Sequence, residues 1–268
     1  MTAKPQTFWE HLDELRSSLI KIVVVTLAFG VVAFLFKDAL FSIVLAPKYD
    51  DFVTYNIFRS LTGSFLPAGD SLESFSVKLI NTGLAEQFII HMKVAIYAGI
   101  LFASPYILYL LFRFASPALY ANEKKYALRV VFGGYIMFML GVLLSYFLIF
   151  PLTFRFLGTY QVSSDVENLI SLQSYISTLM MLTLAMGIIF EIPILSWLFA
   201  KLGFLSAGFM RKHRKHTVVI VLIIAAIITP TADVFTLLLV SLPMYLLYEA
   251  SILLVRRVEK KKKDILNI

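Results

Sequence analysis

Three carboxylates stand in surroundings that make them candidates for chemistry. Glu191 lies in Phe190-Glu191-Ile192-Pro193, well inside a long apolar run. An ionised carboxylate there costs several kcal/mol unless it is solvated or paired. A bound proton, a wet cavity, or a polar group such as Ser or Thr on a neighbouring helix would each relieve that cost. The first two make Glu191 a functional acid of the membrane interior. The third makes it a neutral, hydrogen-bonded helix contact. Glu123 closes the stretch Phe114–Glu123, FASPALYANE, and Lys124-Lys125 follow at once. That stretch is too polar for lipid, so it reads as a short loop at one membrane face. Glu14, near the N-terminus, falls on the same face. Two carboxylates held among many cations suit a ligand with two guanidinium groups, because Arg pairs bidentately with a carboxylate and Lys does not. Each well-made contact of that kind contributes about 1.5–3 kcal/mol. Taken singly, either acid also reads as an ordinary solvated residue.

Other chemistry is poorly supplied. Cysteine is absent, and the four His form neither an HExxH motif nor an i, i+4 pair in an apolar run. The sequence therefore offers no catalytic residues, no metal ligands and no cofactor site, and it does not read as an enzyme.

The elements that must position these acids are membrane helices. Of the 268 residues, 59% are hydrophobic and only 15% charged, with mean hydropathy +0.84. That composition belongs to an all-α polytopic membrane protein. A polar start, residues 1–18, carries a capping-box pattern at Thr7 and Glu10 and apolar residues at helical spacing (Phe8, Leu12, Leu15, Leu19), which predicts an amphipathic helix on the membrane surface. Six apolar runs follow: Leu19–Phe36, Glu86–Phe112, Leu128–Phe150, Ser174–Ala200, Thr217–Ile228 and Val234–Val255. No small-residue cleavage site follows the first, so it reads as a retained helix. The last two are short for a span of ~30 Å of hydrocarbon. Residues 37–85 form a long connection outside the membrane, too long for a simple linker. Residues 151–173 form a shorter one on the same side.

Charge placement sets the orientation. Of the 24 Lys and Arg, all but Lys37, Lys48, Arg59, Lys78, Lys93 and Arg155 fall on the side of the two termini. This positive-inside bias predicts that the N- and C-termini are cytoplasmic. The basic RKHRKH loop and the tail at 256–268 fix that topology and attract anionic lipid headgroups. They do not read as a nucleic-acid surface. On residues alone, two functions stay open: a receptor for a paired-arginine ligand, or a proton-coupled carrier of small solutes with Glu191 as its proton site. A carrier requires a closed, polar cavity at the midplane.

A set of motifs bears on that choice. HLDELR (His11–Arg16), LAP (Leu45–Pro47), Phe88 with Lys93, ASPYILY (Ala103–Tyr109), FASPALYANEKK (Phe114–Lys125), Tyr146-Phe147 with Phe150-Pro151, FEIP (Phe190–Pro193), TPTADVF (Thr229–Phe235) and LPMYLLYE (Leu242–Glu249) occur in this order across nearly the whole chain. Together they resemble TatC, the polytopic component of the twin-arginine protein translocase. The resemblance implies a curved, glove-like bundle of six transmembrane helices, with residues 1–268 forming a single membrane domain. It implies residence in the bacterial cytoplasmic (inner) membrane. It also implies binding of twin-arginine signal peptides, partnership with single-span TatA- and TatB-type proteins, self-association in a receptor complex, and export of folded proteins driven by the proton-motive force.

On the same basis, Glu14 and Glu123 hold the arginines, with Arg16, Phe114, Pro117, Leu119 and Tyr120 completing the patch. Glu191 is the acid of the fourth helix, facing a lipid-filled or wet pocket. Pro47, Phe88 and Asp233 mark the outer, partner-facing side. Two departures limit the carry-over. Leu237 stands where the family often has Gln, and the first outer loop has extra residues around Phe52–Glu73.

Overall fold

The computed structural model describes residues 8–62, 77–115, 127–163, 165, 168–229 and 233–266. In chain order, its helices are α1 (Phe8–Leu35), α2 (Lys37–Leu45), α3 (Val53–Thr62), α4 (Glu86–Ala115), α5 (Ala127–Leu144), α6 (Phe150–Thr159), α7 (Leu172–Ile189), α8 (Ile192–Leu202), α9 (Ala207–Lys212), α10 (Arg214–Ile228) and α11 (Val234–Leu266). A one-turn 3₁₀ segment, Ala46–Lys48, follows α2, and a π-helical turn, Ser145–Ile149, joins α5 to α6. Among the described residues, five stretches are long and apolar enough to cross a membrane: Trp9–Leu35, Glu86–Phe114, Val130–Thr159, Leu172–Leu202 and Val234–Lys262. Helix α10, with 15 residues, is the short fifth run of the sequence. At 1.5 Å per residue it reaches only about 22 Å.

The chain divides into two compact units. The first comprises residues 1–40 and 91–136. Here α1 and α4 run antiparallel, joined by small residues. A Cβ on Gly99 would sit 2.5 Å from the Thr26 carbonyl oxygen and 2.8 Å from the Gly30 nitrogen. Ala33, Ala95 and Ala98 are buried alongside. Lipid gives two helices no hydrophobic reason to associate, so close backbone packing over small side chains supplies the contact. The outer face of α1 is left apolar, with Ile20, Val23, Val24, Leu27 and Val31 exposed.

The second unit comprises residues 41–90 and 137–268. The described part of the long connection from Phe41 onward lies here. It contains α3 and a two-residue strand, Leu79–Ile80, which pairs in parallel with Ile170–Ser171 of the next connection. Helix α8 packs on α11 around Ala200, Ala207, Met210, Ile252 and Val255. Gly203, the C-cap of α8, has φ 84°, a conformation that glycine adopts freely and other residues do not.

Three boundaries differ from the sequence expectation. The third apolar run continues through Pro151 to Thr159 instead of stopping at Phe150. The π turn makes this possible by re-registering the ladder just before a residue that lacks an N–H. The fourth run is two helices, broken at Phe190-Glu191. Pro193 removes the donor that the Ile189 carbonyl would have used, and the chain hinges there. The sixth helix runs on past Val255 to Leu266. Glu249, inside it, is held by Arg214, which donates to Oε2 at 2.6 Å, and by the Tyr245 hydroxyl, which donates to Oε1 at 3.1 Å.

Candidate functional site

The antiparallel pairing of α1 and α4 brings the first turns of one against the last turns of the other. Phe34 stacks on His91 at one end, with ring centroids 4.0 Å apart. His11 stacks on Phe114 at the other, at 4.2 Å and an interplanar angle of 15°. One turn inward from His11, the Glu14 carboxylate meets the Arg113 guanidinium, Oε1 to Nε 3.8 Å. The Glu14 side chain is 24% exposed and that of Arg113 57%. Glu14 is thus held at a helix junction with one guanidinium already against it, and Phe114 beside it is fixed by a stacked ring. Arg16, two residues on, is exposed. Pro117, Leu119, Tyr120 and Glu123 lie outside the described residues.

Sequence reasoning missed Arg113 and His11 as members of this site. Both lie in or beside motifs that it singled out. The signal that finds them is the antiparallel register of α1 and α4, which puts residues 11 and 14 opposite 114 and 113.

Glu191 belongs to the second unit and occupies the break between α7 and α8. Its amide donates to the Ile188 carbonyl at 3.1 Å, and its carbonyl accepts from Leu195 at 2.9 Å. The break is braced by α5. A Cβ on Gly141 would run into the Met186 carbonyl and sit 2.9 Å from the Phe190 ring, while one on Gly187 would sit 2.8 Å from Phe138. The two glycines let α5 and α7 touch, one turn before the break that carries Glu191. Its Oε1 is buried with no hydrogen-bond partner among the described residues. The neighbouring Ser or Thr that the sequence offered as a partner is therefore not engaged with that oxygen.

The remaining predicted positions have clear local roles. Pro47 is buried, and its carbonyl accepts from the Tyr55 hydroxyl at 3.0 Å. Asp233 accepts from the Thr236 amide at 2.7 Å and caps the start of α11. Phe88 is 60% exposed on α4. Two residues before it, Glu86 accepts from the amides of Thr82 and Gly83 at 2.9 and 2.8 Å, closing the N-terminus of the same helix.

A cleft of about 790 Å³ lies along α10 and α11, lined by Val218, Val221, Leu222, Phe235, Leu238 and Leu242 among others. Its walls are almost wholly apolar, with Ser241 and Tyr245 the polar side chains that line it.

Known proteins place this arrangement. The family model described as Sec-independent protein translocase protein (TatC) matches residues 10–243. The chain is 35% identical over 258 residues to the Sec-independent protein translocase protein TatC of Blattabacterium sp. subsp. Periplaneta americana, covering 95% of this chain and 97% of that one. It is 35% identical over 257 residues to the same-named protein of Aquifex aeolicus, covering 96% and 97%. A crystal structure of the twin arginine translocase receptor TatC superposes with a TM-score of 0.74 at 34% identity, over 93% of this chain and 100% of that one. The chain is a multi-pass membrane protein that belongs to the TatC family of Sec-independent protein translocases.

Proposed function

We propose that this chain recognises twin-arginine signal peptides at its cytoplasmic face and serves as the receptor subunit of a twin-arginine translocase. Working with TatA- and TatB-type single-span partners, it supports proton-motive-force-driven export of folded proteins. Its place is the bacterial inner membrane, with both termini in the cytoplasm, as one membrane domain over residues 1–268. The observation that carries this reading is Glu14. It sits at the α1–α4 junction, partly shielded, next to a fixed aromatic ring and already in contact with a guanidinium. Such a position favours bidentate pairing with arginine over a single contact with lysine. Glu123, with Pro117, Leu119 and Tyr120, supplies the second acid and the apolar rest of the patch. The work is binding and transport and involves no covalent chemistry.

The test is crosslinking of a twin-arginine signal peptide to membranes carrying the wild-type chain, Glu14→Ala or Glu123→Ala. Each substitution is expected to reduce crosslinking by at least ten-fold, the loss of about 1.4 kcal/mol or more from one charge-assisted contact. Undiminished crosslinking in both variants removes the recognition role. In cells lacking their own copy, export of a twin-arginine reporter should be restored by the wild-type chain and not by Glu14→Ala.

A further inference from the structure

The Glu14 site holds a guanidinium that belongs to the protein itself. Arg113 is on α4, one residue before Phe114, and its Nε lies 3.8 Å from Glu14 Oε1. The stack of His11 on Phe114 and the close contact of Gly99 with Thr26 and Gly30 fix the register of α1 against α4. Arg113 therefore faces Glu14 because of the backbone, before any ligand arrives. The contact runs from Nε at long range, and Arg113 is more than half exposed. Such a pair is weak and readily broken.

We propose that Arg113 is a resident surrogate for the ligand's arginine, occupying Glu14 in the resting receptor and swinging out when a signal peptide binds. This rests on the recognition reading above. The consequence is quantitative. An internal competitor divides the apparent affinity by one plus the ratio of closed to open site, and it does so for every ligand that needs Glu14. For an exposed ion pair, that factor is about two to five. Because the competitor must leave whichever peptide arrives, it weakens twin-arginine and twin-lysine signals alike. It sets the threshold of binding and leaves the discrimination between the two to the carboxylate geometry.

The experiment uses the full chain in lipid nanodiscs and two fluorescent signal peptides, one with Arg-Arg and one with Lys-Lys. Binding is titrated for wild type, Arg113→Gln, Glu14→Gln and the double variant. Arg113→Gln is expected to tighten both peptides about two- to five-fold with their ratio unchanged. In the Glu14→Gln background, the same substitution is expected to change nothing. Weaker or unchanged binding in Arg113→Gln overturns the proposal, because a bracing residue would lower affinity when removed. A gain that persists without Glu14 also overturns it, since it would report general charge repulsion. Wild-type protein that does not tell Arg-Arg from Lys-Lys sinks the recognition reading and this proposal with it. Intact discrimination with no gain in Arg113→Gln sinks the proposal alone.

Discussion

Each of three prolines removes the N–H that would serve the carbonyl four residues earlier, and the structure shows a hydroxyl at each freed carbonyl. For Pro105 it is Ser104, donating to Leu101 at 2.7 Å. For Pro47 it is Tyr146, donating to Ile43 at 2.6 Å. For Pro151 it is Thr54, donating to Phe147. Tyr55 then ties the second and third sites together, its hydroxyl 3.0 Å from the carbonyl oxygens of both Pro47 and Pro151. The ring is 1% exposed, so Tyr55→Phe leaves shape and burial intact and removes one proton shared by two buried acceptors. The cost follows as one lost hydrogen bond plus desolvated carbonyls, about 1–3 kcal/mol. For a chain of this size, that is a fall of roughly 2–10 °C in apparent Tm. The assay is thermal inactivation of purified protein in one detergent at a fixed scan rate, because unfolding of such proteins is commonly irreversible. Thr54→Val should cost a similar amount and be non-additive with Tyr55→Phe, since both act on the Pro151 turn. Pro151→Ala should rescue Thr54→Val, because the restored amide can serve the Phe147 carbonyl from within the helix. If Tyr55→Phe matches wild type, or Pro151→Ala fails to rescue, hydroxyl satisfaction of proline-freed carbonyls is not what holds this region.

Further outcomes follow from single contacts. Burial pushes the Tyr55 phenol above its ordinary pKa of 10.0, with Arg155 pulling the other way. Its contribution is therefore fully present below that value and lost as pH rises through the higher folded one, so the gap between wild type and Tyr55→Phe should be flat at neutral pH and narrow only in strong base. Gly99→Ala and Gly141→Ala place a methyl group against backbone, which cannot yield without parting two helices. Both should accumulate poorly in membranes, whereas Gly208→Ala, with nothing within 4 Å of its added carbon, should gain up to about 1 kcal/mol from helix propensity. Glu249→Gln weakens the pair with Arg214, for which the side chains are 30% and 46% exposed. It should lower apparent Tm by no more than a few degrees, equivalent to about 1 kcal/mol or less.

The reach of the sequence can be measured at particular residues. Hydropathy alone located the five long spans found among the described residues, because crossing a bilayer takes about twenty apolar residues in helical form. The ends were not visible in the same way. Pro151 reads as a stop until a π turn and Thr54, from a segment nearly a hundred residues away, make it tolerable. Glu249 stands as a charge inside the sixth apolar run, Val234–Val255, and is tolerated there because Arg214 and Tyr245 donate to it. In both cases a polar or helix-breaking residue is acceptable only because of a partner remote in sequence, and periodicity contains no information about such partners.

The same limit governs the candidate site, with a different outcome. Glu14 and Glu191 stood out as acids in the wrong company, which is a statement about composition and needs no coordinates. What surrounds them does need coordinates. Glu191 owes its place to Gly141 and Gly187, two residues with no side chain to notice. Glu14 owes its neighbour to helix register, so Arg113 looked like one more topology-setting cation until α1 and α4 were laid side by side. On the proposal above, a charge that fixes orientation during insertion also closes a binding site afterwards. The two roles separate by experiment: moving the Arg113 charge one turn along α4, as Arg113→Gln with Tyr109→Arg, keeps a charge near the same end of that helix, where a long side chain reaches the interface, but withdraws it from Glu14 by about 5–6 Å of helix rise. Insertion should be normal and signal affinity raised. A variant that inserts normally and binds no tighter would show that Arg113 serves topology alone.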